Sequence, residues 1–134
     1  MIYADSGIIM RWVEGASQVR DPIELRWRQV PVADRVFVAS RMARLECRCK
    51  PLRDHRDDLL HLYEIFFASK EVDIREVDAV VVEKATELRA NLGLKTPDAI
   101  HVATAMLAGA AAFWTTDVRL AQCAGLAVEV FKAV

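Results

Sequence analysis

The sequence predicts an α/β fold, a three-layer α/β/α sandwich built on a central, mostly parallel, five-stranded sheet. Short apolar runs, too brief for helices, alternate with longer amphipathic stretches of helical period. Those stretches are long enough to serve as crossovers, so successive strands pair in parallel through right-handed connections. The 134 residues contain no repeat, no low-complexity tract and no Gly/Ser linker, which predicts one domain over residues 1–134. A chain of this length buries roughly two-thirds of its unfolded surface, enough for a core without disulfides or a structural metal.

The elements follow in order. Met1 to Ala4 is a buried first strand, ended by the turn-forming Asp5-Ser6-Gly7. Ile8 to Glu14 is helical, and Asp21-Pro22-Ile23-Glu24 marks the start of a second helix, with Asp as cap, Pro in the first turn and Glu reaching back. Val36 to Ala39 forms the second strand. Ser40 caps a helix expected to yield by Pro51, since proline lacks the amide a helix needs. Met42, Leu45, Cys49 and Leu52 make one apolar stripe on it; Arg41, Arg44 and Arg48 lie beside one another, and Glu46 sits at the boundary of the stripe. Leu59 to Phe67 is a further helix, Val72 to Ile74 a short strand, and Ala79 to Leu92 a helix closed by Gly93. Thr96 caps the next helix, with Pro97 at its first position, and Ala112 to Thr115 and Ala127 to Phe131 supply the last two strands.

Composition excludes several classes. With 18 basic and 19 acidic residues the net charge is −1, so whole-chain attraction to nucleic acid is ruled out and any such binding needs a local patch. One stretch offers it: Arg35 to Arg56 holds seven basic residues against two acids, whereas Asp57 to Glu87 holds nine acids against three bases. The opening Met1-Ile2-Tyr3-Ala4-Asp5 has no positive n-region, so a cytosolic protein is expected. The longest apolar stretch, Ala99 to Trp114, is shorter than the roughly 20 residues that cross a bilayer. Cys47, Cys49 and Cys123 cannot all pair, and Cys-x-Cys on a helix is poor metal-ligand geometry, so reduced core thiols are expected.

In an open parallel sheet, ligands sit outside the carboxyl ends of the strands. Connectivity delivers Asp5, Glu46 and Asp117 there; Asp98, in the first turn of a helix, is placed by inference. Carboxylates gathered in one crevice raise one another's pKa unless a cation offsets them, which points to a hard divalent ion, Mg²⁺ or Mn²⁺. Such an ion acidifies a water and stabilises a transferring phosphoryl group, so the implied chemistry is phosphodiester hydrolysis.

Asp5 in Ile-Tyr-Ala-Asp-Ser, Glu46 in Arg-Leu-Glu-Cys-Arg, the run Leu94 to Ala105 containing Thr96-Pro97-Asp98-Ala99-Ile100-His101, and Thr115-Thr116-Asp117 together resemble a PIN-domain ribonuclease of the VapC toxin type. The resemblance covers nearly the whole chain. It implies that Asp5, Glu46, Asp98 and Asp117 hold one or two Mg²⁺ or Mn²⁺ ions, places Asp98 with the other acids, and makes RNA the substrate. It further implies an antitoxin lying across the early helices, which carry Trp12, Leu25 and Trp27, and a homodimer. Ser6-Gly7 stands where Thr-Ser is common and Thr116 where Asn is usual, so Ser6 and Thr116 are only supporting candidates. Arg41, Arg44 and Arg48 are the candidate RNA contacts.

Other readings accompany these. His101 suits an Asp-x-x-His metal pair, but its apolar surroundings favour a hydrogen-bonded structural role; His55 and His61 are expected at the surface. Trp12, Leu25 and Trp27 at helical spacing are expected in the core. The functional alternatives are a phosphoacceptor or regulatory module on a doubly wound sheet, and an inert scaffold that only binds a partner. The first would want further acids near Asp5 and a well-placed lysine, which the sequence lacks.

Overall fold

The structure is a computed structural model and describes residues 1–121, 123 and 125–132. Strands β1 (Ile2–Ala4), β2 (Phe37–Ser40), β3 (Val72–Arg75), β4 (Ala112–Thr115) and β5 (Val128–Val130) form one sheet in the order β3-β2-β1-β4-β5. All four pairings are parallel. The order reverses between β1 and β4, so the sheet has a switch point where two crossovers leave in opposite directions and open a crevice beyond the strand ends.

Side chains alternate across each strand, and the sheet therefore buries both faces. Ile2, Ala4, Phe37, Ala39, Ala112 and Trp114 pack on one side with helices α1 (Ser6–Glu14), α2 (Ser17–Gln29), α3 (Arg41–Arg53) and α4 (Asp57–Ala68). Tyr3, Val38 and Phe113 pack on the other with α5 (Ala79–Leu92) and α6 (Thr96–Ala108). Trp27 stacks on Phe37 with ring centroids 3.9 Å apart, and Trp12 meets both edge-on. Trp27 is thus buried in the core as expected, Trp12 packs half-buried against it, and Leu25 is 59% exposed. Among the described residues, no helix is long and apolar enough to cross a membrane.

Four local expectations are corrected. The second helix starts at Ser17 rather than at Asp21, and Pro22 lies inside it; the first turn forms upstream, where Ala16 accepts the Val19 and Arg20 amides, and a proline in the next turn forfeits only one bond. Helix α3 passes through Pro51 to Arg53 because the proline ring is buried on its core face, and that packing offsets the missing donor. Thr96 does not cap α6, whose cap position is Lys95; its hydroxyl instead accepts from Arg89 Nη1 at 2.9 Å. Of the three cysteines, all free, only Cys47 is buried, Cys49 is exposed and Cys123 is half-buried.

The face of α3 that meets the core carries Ala43, Cys47 and Pro51. The stripe of Met42, Leu45, Cys49 and Leu52 instead lines an open groove of about 900 Å³ shared with Leu60, Val77 and Ile100. Leu45 and Leu52 are each about two-thirds exposed. Both α3 stripes are apolar or small, so periodicity alone does not say which one the sheet covers.

Candidate active site

Asp5 leaves β1 and caps α1, its Oδ1 accepting the Ile8 amide at 3.0 Å. Its other oxygen accepts the Thr115 hydroxyl at the end of β4, and Thr115 Oγ1 in turn accepts the Asp117 amide at 3.0 Å. A threonine on β4 thereby ties the acid ending β1 to the acid following β4, across the switch point. Asp5 is buried, only 8% exposed; burial pushes its pKa up, and the bonds from Thr115 and the Ile8 amide offset this only in part.

Glu46 is half-buried, as its boundary position predicts, and is bound from two sides. Ser6 Oγ donates to its Oε1 at 2.7 Å and His101 Nε2 lies 2.7 Å from the same oxygen. Burial opposes the Glu46 carboxylate, but the bonds from His101 and Ser6 outweigh it and hold its pKa below the ordinary value. His101 is buried, and its Nδ1 is 2.6 Å from the Tyr3 hydroxyl. The histidine is therefore hydrogen-bonded within the core, as read from its surroundings, yet its partner is a site acid. That link was missed because Glu46 and His101 lie 55 residues apart.

Asp98 and Asp117 face a common cation. Arg119 donates through Nε and Nη2 to Asp117, the latter at 2.5 Å to Oδ2, and its Nη2 lies 3.9 Å from Asp98 Oδ2. The Arg119 hydrogen bonds lower the Asp117 pKa, with burial opposing them and the charge of Lys95 adding to them. Arg119 is the residue that reading the sequence overlooked; its spacing of two from Asp117, which lets a short turn fold the guanidinium back, is the signal that marks it.

Three of the four acids thus lie within one chain of direct contacts when Asp98 is counted through Arg119, and Glu46 adjoins Asp5 through Ser6. Among the described residues, no three acid, histidine or cysteine side chains converge tightly enough to ligate one ion in this arrangement. The donor chemistry nevertheless suits a hard divalent cation, since every candidate ligand is a carboxylate oxygen and two of them already share one cationic group.

Thr116 is set by glycine. A Cβ at Gly7 would come within 2.3 Å of Thr116 Oγ1, and the Thr116 Cβ itself stands 3.3 Å away, so rotating the threonine does not fully clear the contact. Gly7→Ala is expected to cost about 1–2 kcal/mol by thermal denaturation, the clash outweighing the helix-propensity gain. Combining it with Thr116→Ala should recover most of that loss; no recovery would show that the contact is not the cause.

The remaining candidates are dispersed. Arg41 pairs with Glu76, and Arg44 and Arg48 both pair with Glu64, along the outer groove of α3. His55 and His61 are exposed, as expected.

A doubly wound domain with acids gathered beyond the carboxyl ends of its central strands defines a class of sheet-edge acidic sites. Residues 2–126 match the PIN domain family, and the chain belongs to it. No curated protein matches the sequence. Among solved structures, the chain is similar in fold to VapBC2 from Rickettsia felis bound to a promoter DNA fragment, with TM-score 0.75 and 16% identity over 98% of this chain and all of the other. A toxin-antitoxin complex from Klebsiella pneumoniae gives TM-score 0.75 and 20% identity over the full length of both chains. VapC20 of Mycobacterium tuberculosis, a Sarcin-Ricin loop cleaving toxin, gives 0.66 and 19% identity over 84% of this chain and 87% of the other.

Proposed function

We propose that this protein is a Mg²⁺- or Mn²⁺-dependent endoribonuclease acting as the toxin of a toxin-antitoxin pair. The observation that carries the reading is the run of contacts that links Asp5 to Asp117 through Thr115 and Asp117 to Asp98 through Arg119, with Glu46 beside it, at the switch point of a PIN domain. Two of its structural relatives are toxin-antitoxin complexes and a third is an RNA-cleaving toxin.

Asp5, Asp98 and Asp117 would hold the ion. When bound, it would acidify a water and offset the charge developing on the phosphoryl group. Thr115 orients Asp5 by occupying one of its oxygens. Glu46 is kept ionised, and because Ser6 and His101 both engage Oε1, its Oε2 has no protein partner among the described residues. That oxygen is the atom available to accept a proton from a water. Tyr3 fixes the imidazole of His101 from behind, so Glu46 is held by a buried scaffold rather than by a mobile loop.

The antitoxin reading keeps the exposed Leu25 on the early helices and adds α3 as a second surface. Trp27 is buried in the core and Trp12 packs half-buried against it, whereas the exposed stripe of Leu45 and Leu52 faces a groove rimmed by Arg41, Arg44 and Arg48. An apolar segment flanked by acids suits that surface, since its carboxylates can replace Glu64 and Glu76 on the arginines.

The deciding experiment is cleavage of RNA in EDTA, then with Mn²⁺ restored. Activity should vanish and return, and Mn²⁺ near 100 times its Kd should add about 2.7 kcal/mol of stability. Cleavage that persists in EDTA would sink the reading.

A further inference from the structure

We propose that Arg119 is a built-in counter-cation: it occupies the Asp98–Asp117 pair and must swing out before a divalent cation is held there. The inference rests on the metal-site reading above and adds a control to it. Asp117 is committed three times to Arg119, through the backbone amide to Oδ1 at 2.9 Å, Nε to both oxygens at 3.0 Å and Nη2 to Oδ2 at 2.5 Å. The same Nη2 reaches Asp98 at 3.9 Å. These are the oxygens a metal would need, and a guanidinium and a divalent ion cannot share them, because they compete for the same lone pairs and repel each other.

The geometry also makes departure easy. Arg119 follows Asp117 on a short 3-10 turn, and its side chain is 61% exposed against 24% for each acid. Only its backbone amide is fixed by the fold; the guanidinium sits on a flexible stem whose outer face is already in water. With it in place, every site acid has a partner: Thr115 on Asp5, Ser6 and His101 on Glu46, and Arg119 shared by Asp98 and Asp117. The crevice is thus stable without an ion. In such an arrangement, occupancy depends on free metal outcompeting an internal cation, and the site stays closed when metal is scarce.

Calorimetric titration of metal-stripped protein with Mn²⁺ tests this without any activity assay. Arg119→Gln should bind Mn²⁺ about three- to tenfold more tightly than the unaltered chain, the scale of a bidentate pair with one largely exposed partner. Lys95→Gln is the control, because Lys95 is exposed and adds charge near Asp117 without bonding to it; it should change affinity by less than about twofold. Equal affinity in Arg119→Gln and the unaltered chain, or an equal gain in Lys95→Gln, would overturn the proposal while leaving the metal site standing. No Mn²⁺ binding by any of the three would overturn both.

Discussion

Asp5→Asn should lower RNA cleavage by about three orders of magnitude, equivalent to about 4 kcal/mol of transition-state stabilisation, while leaving the protein as stable as before or more so. The two halves of this expectation have one cause. Asp5 is buried with its pKa raised by desolvation. A group whose folded pKa exceeds its unfolded value contributes most at low pH, and the contribution is lost as pH rises through the folded pKa. At neutral pH the ionised carboxylate therefore costs stability, and asparagine removes that cost. The Asn oxygen still accepts the Ile8 amide and so still caps α1, and the Thr115 hydroxyl can turn to accept from the new amide. What is lost is one anionic oxygen at the switch point. Thermal denaturation and a cleavage assay on the same preparation check it; activity retained within tenfold would remove Asp5 from the proposed ligands.

Trp114→Ala should destabilise the fold by about 3–5 kcal/mol and lower the Tm by ~10 °C or more. The ring is fully buried at the centre of the aromatic cluster, with centroids 5.0 Å from Phe131, 5.9 Å from Phe37 and 6.0 Å from Trp27. Its indole Nε1 is buried without a hydrogen-bond partner among the described residues. Trp114→Phe therefore removes an unsatisfied donor as well as some packing, and the two effects partly cancel, leaving a net cost of about 1 kcal/mol or less. A loss in Trp114→Phe well above 1 kcal/mol, out of proportion to the volume removed, would show that Nε1 is satisfied. Because Trp114 precedes Thr115, which bonds Asp5, the Phe variant should also keep the acid geometry and its activity.

The same contrast between local and long-range causes separates what could be read early from what could not. Strand β1 was legible because Met1 to Ala4 is apolar and followed by turn-forming residues, and α5 because Gly93 closes it. Asp5 and Asp117 followed from connectivity once the sheet was parallel, since a residue after a strand must emerge at its carboxyl edge. Asp98 needed the family resemblance to place it, and Arg119 joins it to Asp117 in the folded chain. The start of α2 was misread because an Asp-Pro signal is equally at home one turn inside a helix already nucleated.

Thus periodicity, capping residues and the alternation of strands and helices determined by themselves the layers, the parallel sheet and the edge on which the acids emerge, because each depends on neighbours a few residues away. Only the tertiary structure decided which stripe of α3 meets the core, that His101 and Ser6 converge on Glu46, and that Arg119 stands between Asp98 and Asp117. Those outcomes depend on the packing of elements far apart in the chain, where two faces or several partners satisfy the same local pattern and only the geometry of the assembled sheet selects among them.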